Sequence, residues 1–295
     1  KTFSAGMVAT AGGLGVIIPP SIPFVLYSLA TGVSTSALFL GGVLPGIFIG
    51  IALMAYAVYY CIKNGEDREK IDAKLKELRS RSFFRLLWES TPALLSPIIV
   101  LGGIYGGIVT PTEAACISVF YSLIVSLWIY KTIKLDAIIP FLKSAVKTYG
   151  PICFVIAFAI AFGRVLTILQ APKLISDFVL GTFHTKFAIL AIIVIVFLLM
   201  GMVMDTGPAI VILAPILLPI VQQVGVNPVH FGVIMVCCLS IGLATPPFGL
   251  DLFVAGTLSD TPPMTVAKSA MPFILAFGVA LWCITYWPWL SLALL

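Results

Sequence analysis

The chain has 295 residues, of which 60% are hydrophobic and only 10% charged, with 17 Lys and Arg against 12 Asp and Glu. A soluble domain carries roughly 45–50% apolar and about 25% charged residues, so this composition, with a mean hydropathy of +1.14, excludes one and specifies a polytopic membrane protein. The net charge of +5 sits in loops between apolar runs, which argues against nucleic acid as a partner.

A hydrocarbon core of about 30 Å needs roughly 20 helical residues. In chain order the apolar runs are Met7–Ala30, Ala37–Ile62, Pro92–Val109, Ala114–Tyr130, Tyr149–Leu169, Phe187–Met204, Ala209–Val221, Phe231–Ala255 and Ser269–Leu290. Lys1 opens the chain in place of Met, and the sequence reads as a piece of something longer. Between the second and third runs, residues 63–89 hold 14 of the charged residues. Within them Asp67–Arg85 reads as an amphipathic surface helix, with Ile71, Leu75 and Leu78 on one stripe, connecting spans on the cytoplasmic side. Eight of those charges are Lys or Arg, and Lys131, Lys134, Lys143 and Lys147 form a second basic cluster. Both clusters are expected inside by the positive-inside rule, and two crossings join them, the even number required.

Further on, Phe187–Met204 and Ala209–Val221 are separated only by Asp205, Thr206, Gly207 and Pro208. The second run is short for a span, so the pair is expected to form a re-entrant hairpin whose tip lies within the membrane, shielded by protein. It enters and leaves from the outside. Phe231–Ala255 then returns inward, and the last run leads out again.

Two stretches resemble each other. Gly15 precedes Pro19-Pro20, and Gly242 precedes Pro246-Pro247, by the same four residues; a further proline follows each pair 25 residues on, at Pro45 and Pro272. Charge topology runs the first broken helix outward and the second inward, the signature of an inverted repeat as found in secondary transporters. Each proline removes an N–H and clashes with the carbonyl four residues back. The carbonyls of Gly15, Val16, Gly242 and Leu243 are therefore released from the helix ladder. Two outcomes remain open: a cation such as Na⁺ takes them, or water and nearby Ser and Thr hydroxyls do, leaving a packing kink. At the hairpin tip, a helix N-terminus inside the protein suits an anion. Asp205 there reads either as a functional intramembrane acid or as the N-cap of the returning helix.

Other isolated polar residues have competing readings. Thr110 to Glu113 resembles a capping arrangement, and Asp251 and Arg164 each fit a cavity-lining, paired or snorkelling role. The six cysteines lie in or beside apolar runs without C-x-x-C spacing and read as small packing residues. His184 and His230 flank loops far from any Ser or Cys partner, which argues against an enzyme. A channel would use similar broken helices.

The segments Ala11–Ser21, Gly41–Gly46, Gly106–Ala115, Met204–Thr206 and Asn227–Gly249, in this order, resemble the large membrane subunit of tripartite ATP-independent periplasmic (TRAP) transporters. The likeness covers the C-terminal two-thirds of that subunit, without its upstream scaffold helices and first hairpin. It implies an all-α polytopic membrane protein with inverted repeats, a re-entrant helical hairpin and Pro-broken transmembrane helices, working by an elevator motion. Residues 1–62 would end the first repeat, 63–91 connect, and 92–295 form the second: scaffold helices 92–170, hairpin 185–222, broken helix 231–258 and last helix 269–290. The resemblance further implies Na⁺-coupled import of an organic anion, either an acidic sugar such as sialic acid or a C4-dicarboxylate, in the bacterial inner membrane. Its partners would be a periplasmic substrate-binding protein and a small membrane subunit, separate or fused. At least two Na⁺ ions are implied, one at Gly13, Gly15, Ile18 and Ser21, the other between Asp205, Thr206 and Gly207 and the break at Gly242, Thr245 and Pro246. Substrate would lie between them, against Pro20, Ser21, Asp205, Thr206, Gly207 and Pro247.

Overall fold

The computed structural model describes residues 1–65, 72, 75–76, 83–183, 185–247 and 249–295; these form helices with no strand among them. Most of the expected surface helix Asp67–Arg85 lies outside the described residues. Six of the described helices are long and apolar enough to cross a membrane, or seven if one bent pair counts as a single span. Two compact units arise, one from Lys1–Ala57 with Ile152–Leu295, the other from Val58–Pro151. The expected scaffold segment 92–170 is thus divided at Pro151.

In the smaller unit, the first helices in chain order after α1 (Thr2–Gly12), α2 (Leu14–Ile17), α3 (Ile22–Thr31) and α4 (Thr35–Asn64) are α5 (Phe83–Tyr105) and α6 (Pro111–Ile124). They form a helical hairpin, tied by Tyr121 Oη donating to Pro92 O at 2.7 Å and Tyr130 Oη to Glu89 O at 2.6 Å. The start of α6 is a full capping box: Glu113 N–H donates to Thr110 Oγ1 while the Thr110 N–H and hydroxyl both donate to Glu113 Oε2, at 2.7 and 2.8 Å. Glu113 is thereby committed to starting a helix.

The larger unit adds α7 (Ile138–Ile168) from residue 152 on, α8 (Ala171–Thr182), α9 (Lys186–Gly201), α10 (Thr206–Gln223), α11 (Pro228–Leu243), α12 (Leu250–Ser259), α13 (Pro263–Tyr286) and α14 (Trp289–Leu292). Side-chain caps start several helices: Ser21 for α3, Thr185 for α9, Asp205 for α10 and Asn227, followed by Pro228, for α11. Apolar on every side, α11 is buried from Val229 to Leu243 and forms the centre of the unit. Around it pack α9, α10, α13 and parts of α2 and α3.

Both expected broken helices are present. The axis bends by 42° between α1–α2 and α3, and α11 stops at Leu243 before α12 begins at Leu250. Both Pro-Pro bonds are cis. Contacts fix the relative direction of the pair. Tyr27 of α3 touches Gly232 near the start of α11, Gly13 meets Ser240 near its end, and Ala5 and Ala9 of α1 share a cluster with Leu252 and Ala255 of α12. As numbering rises along one broken helix it falls along the other, so the two run antiparallel. Pro45 and Pro272 likewise occupy the interiors of the following helices, α4 and α13. The inverted repeat read from the sequence is a property of the fold.

The hairpin also closes as expected. Lys186 Nζ, at the entry of α9, donates to Gly225 O just beyond the exit of α10, at 3.1 Å. Entry and exit therefore share one side, and residues 202–205 turn at the far end. Its returning arm, α10, runs five residues beyond the expected Ala209–Val221 and at 18 residues is long enough to cross a membrane, because the Asp205 cap starts it earlier; it packs on α3 and α11, while α9 packs on α11.

Candidate functional site

The hairpin tip meets the second break. A cavity of about 340 Å³ is lined by Gly201, Met204 and Asp205 from the tip and by Leu243, Gly249 and Phe253 from the interrupted helix. What brings them together is an unusually close approach of α9 and α11. A Cβ on Gly242 would strike the backbone of Gly201, and one on Gly201 would lie 2.9 Å from Leu239 O. Two glycines facing each other let the backbones touch, as in tightly crossing membrane helices.

Asp205 is exposed to this cavity, with its Oδ1 accepting the Thr206 N–H at 2.7 Å and, at 3.4 Å, the Thr206 hydroxyl. The N-cap reading therefore holds, and no hydrogen bond from the described residues reaches the second carboxylate oxygen. Thr206 and Gly207 are buried, and Gly207 faces Leu26 of α3. Thr245 points elsewhere. Its hydroxyl donates back to Ile241 O at 2.7 Å, and its side chain lines a separate apolar groove. Of the carbonyls released by Pro246 and Pro247, that of Gly242 accepts the Thr245 N–H at 3.0 Å. Pro246 is half-buried and Pro247 exposed; Phe248 lies outside the described residues.

At the first break, Ser21 is buried and its hydroxyl donates to Val16 O, one of the two carbonyls released there, while accepting from Phe24 N–H at 3.4 Å. One hydroxyl thus caps α3 and satisfies the preceding helix end. Gly15, Ile18 and Pro20 are exposed, and Gly13 is buried.

Gly13 shows what reading the sequence missed. Ser240, fully buried, donates its hydroxyl to Gly13 O at 2.7 Å. The two residues are 227 positions apart, the same interval that separates Pro19 from Pro246 and Pro45 from Pro272. Repeat-equivalent residues in contact lie astride the pseudo-two-fold axis, so this bond marks where the axis passes. The repeat interval was the available signal: a serine inside an apolar run, one interval from a glycine.

The remaining candidates separate. Arg164 lines an apolar cavity of about 280 Å³ between α3, α7 and α10, with Leu26, Gly163 and Val211 among its walls. Asp251 turns toward α1, where a Cβ on Gly12 would meet Oδ2 at 3.3 Å; this Oδ2 is buried without a hydrogen-bond partner among the described residues. His184 lies outside the described residues. For His230 the expected isolation is wrong: Nδ1 lies 3.1 Å from Ser291 Oγ and Nε2 3.2 Å from Thr285 O. The chain folds back through α14 and places Ser291 under the start of α11. Histidine and serine are both buried there, away from the tip cavity, and fasten the C-terminal turn to the core. The described residues contain no cluster of three or more His, Cys, Asp or Glu able to hold a metal; a cation at the second break would rely on the single Asp205 carboxylate together with peptide oxygens.

Residues 1–290 match the family model described as the tripartite ATP-independent periplasmic transporter, DctM component. The isethionate TRAP transporter permease protein DctMQ of Oleidesulfovibrio alaskensis is 43% identical over 98% of this chain and 45% of its own length. The C4-dicarboxylate TRAP transporter large permease protein DctM of Pseudomonas aeruginosa is 38% identical over 100% of this chain and 67% of its own. The sialic acid TRAP transporter large permease protein SiaM of Vibrio cholerae is 32% identical over 99% and 67%. The chain therefore spans less than half of the first of these relatives and about two thirds of the other two.

Proposed function

This chain belongs to the DctM family of TRAP transporter components, and from that premise we propose that it serves a Na⁺-coupled importer of an organic anion in a bacterial inner membrane. A periplasmic binding protein delivers the anion, and a small membrane subunit, separate or fused, completes the permease. The name DctMQ carried by the isethionate relative supports the fused arrangement. Relatives named for isethionate, C4-dicarboxylate, sialic acid and 2,3-diketo-L-gulonate all point to an anionic cargo. The chain performs transport and carries out no covalent chemistry.

One observation carries this reading: the capped tip of a re-entrant hairpin and the break of an interrupted helix enclose one cavity, beside the antiparallel crossing of two such helices. The tip holds opposed electrostatic elements. The start of α10 offers N–H groups and a positive dipole end to an anion, yet Asp205 stands in front of it with a negative charge. An anionic substrate is repelled there until a cation neutralises the carboxylate. Na⁺ bound between Asp205, Thr206 and Gly207 and the carbonyls around Gly242, Thr245 and Pro246 does this, and so makes cation and anion binding interdependent. A second Na⁺ belongs at Gly13, Gly15, Ile18 and Ser21, and the anion lies between, against Pro20, Ser21, Asp205 to Gly207 and Pro247. An elevator movement of the crossing region carries all three.

The test is uptake into proteoliposomes containing the complete subunit set, across a panel of acidic sugars, dicarboxylates and sulfonates, with and without an imposed Na⁺ gradient. Saturable, binding-protein-dependent accumulation driven by inward Na⁺ is expected. Accumulation unaffected by Na⁺, or non-saturating conduction, would overturn the coupling.

A further inference from the structure

Asp251 stands in the first turn of α12, just after Gly249 and Leu250, which both line the tip cavity. Its carboxyl group turns toward α1 instead. We infer that Asp251 is a proton-binding site: its carboxyl carries a proton while α1 and α12 are packed together and releases it to water when they part.

The surroundings of the carboxyl select its partner. Oδ2 is closed off by the chain's own atoms and accepts no hydrogen bond from the described residues. Across the interface lies Gly12, where a Cβ would fall 3.3 Å from Oδ2, 3.6 Å from Cγ and 3.9 Å from Oδ1. The whole carboxyl group therefore faces the open side of a glycine. Beside this contact Ala5 and Ala9 of α1 meet Leu252 and Ala255 of α12 and Val266, Ala267 and Ala270 of α13, all buried. Because Oδ2 is already covered within this chain, no other part of the permease reaches it while α1 and α12 stay packed.

Among the described residues, no neighbouring helix brings a counter-charge to Oδ2. The helices packed on α12 are α1, α13 and α11. From Thr2 to Gly12, α1 has no titratable residue. α11 carries His230, Cys237 and Cys238; the thiols bring no positive charge, and His230 lies about three turns before Ser240, the residue that touches Gly13. α13 carries Lys268, Cys283 and Tyr286. Lys268 is exposed, and the other two follow Ala270 by about three and a half turns or more. An ionised carboxylate left alone in apolar surroundings is neutralised rather than kept. A metal ion would have to be ringed by several oxygens, and an oxygen sealed against Gly12 leaves no room for them. A proton needs neither space nor a second ligand.

Ionisation requires water, which reaches Oδ2 only if α1 separates from α12. Loss of the proton and separation of the helices therefore favour each other. The site uses none of the residues assigned to Na⁺ or cargo, so it stands whether or not Na⁺ drives transport.

The first measurement is infrared spectroscopy of the complete transporter in nanodiscs at neutral pH. Asp251→Asn should remove a carboxylic-acid C=O band that Asp205→Asn leaves in place. Acid bands unchanged by Asp251→Asn would overturn the site, since an ionised carboxylate, bare or on a metal ion, has no such band. If Asp251→Asn failed to assemble, Asp251→Glu with carbon-13 confined to aspartate carboxyls would decide: the isotope-shifted acid band of the wild type must vanish, and its survival would overturn the site. Release is read with Ala9→Cys, at a position only 2% exposed in the packed pair. In alkaline buffer, maleimide labelling located by peptide mass spectrometry should be several-fold faster in Ala9→Cys than in Ala9→Cys combined with Asp251→Asn, and equal in mildly acidic buffer. Comparing the two at one pH cancels the titration of the thiol itself. Equal rates in alkaline buffer would overturn the link between proton release and separation.

Discussion

Ser240 and Gly13, one repeat interval apart, touch through a 2.7 Å hydrogen bond at the point where the two broken helices cross. A Cβ on Gly13 would fall 2.5 Å from Ser240 Oγ, so hydroxyl and glycine fit only each other. Ser240→Ala removes a buried hydrogen bond and should cost about 1–2 kcal/mol. Gly13→Ala should cost more, about 2–3 kcal/mol, through overpacking. The double variant should cost less than the sum, because each change removes the cause of the other's penalty. Thermal unfolding of the four proteins in detergent measures this; strict additivity would mean that the contact is absent.

Asp205 combines two duties that substitution separates. Its Oδ1 caps α10, so Asp205→Ala should lose about 1 kcal/mol of stability. Removing the charge should also raise the Na⁺ concentration for half-maximal uptake on the order of tenfold, equivalent to about 1.4 kcal/mol. Thr245→Val serves as the contrast. Its hydroxyl is bonded to Ile241 O and faces the apolar groove, so it should shift Na⁺ dependence much less. Equal shifts in the two variants, measured in proteoliposomes, would mean that the Thr245 hydroxyl leaves Ile241 to bind the cation.

The architecture was legible because its determinants are local. Prolines and glycines interrupt apolar runs at matching intervals, and four polar or breaking residues separate two helices. The caps at Thr110 and Asp205 also act within a few residues. What the sequence concealed depends on rotamer and on distant packing. Whether Thr245 points into the tip cavity or back along its own helix is a choice between two χ1 wells, settled by the carbonyl four residues earlier. The partnership of His230 with Ser291 spans 61 positions and exists because a short terminal helix folds back. Asp251 and Arg164, both isolated charges in apolar runs, entered different surroundings that no periodicity separates.

The hairpin should be sensitive to a single methyl group at its crossing. Gly242→Ala places a Cβ against the backbone of Gly201, which cannot yield as a side-chain end can. A loss of about 2–3 kcal/mol is expected, together with protease sensitivity in the tip. Gly278→Ala is the matched control, since its Cβ meets nothing within 4 Å. It should be neutral or stabilise by up to ~1 kcal/mol through helix propensity alone. If both variants melted alike, close approach of α9 and α11 could not be what holds the tip.

Asp251 is the opposite case, a charge whose removal should help. Its Oδ2 is buried against Gly12 with no donor among the described residues, and an unmatched buried polar atom costs about 1–3 kcal/mol, more when charged. Some of that is offset by its place in the first turn of α12, where a negative charge meets the helix dipole for about 0.3–1 kcal/mol. The cost of burial outweighs the gain from the dipole. Asp251→Asn keeps the shape, discards the charge and should raise the melting temperature, whereas Asp251→Leu should gain less because it adds branching beside the Gly12 backbone. A lower melting temperature for Asp251→Asn would show instead that the carboxylate is held by a cation or donor from the rest of the transporter. Repeating the measurement with and without Na⁺ would then tell those two apart.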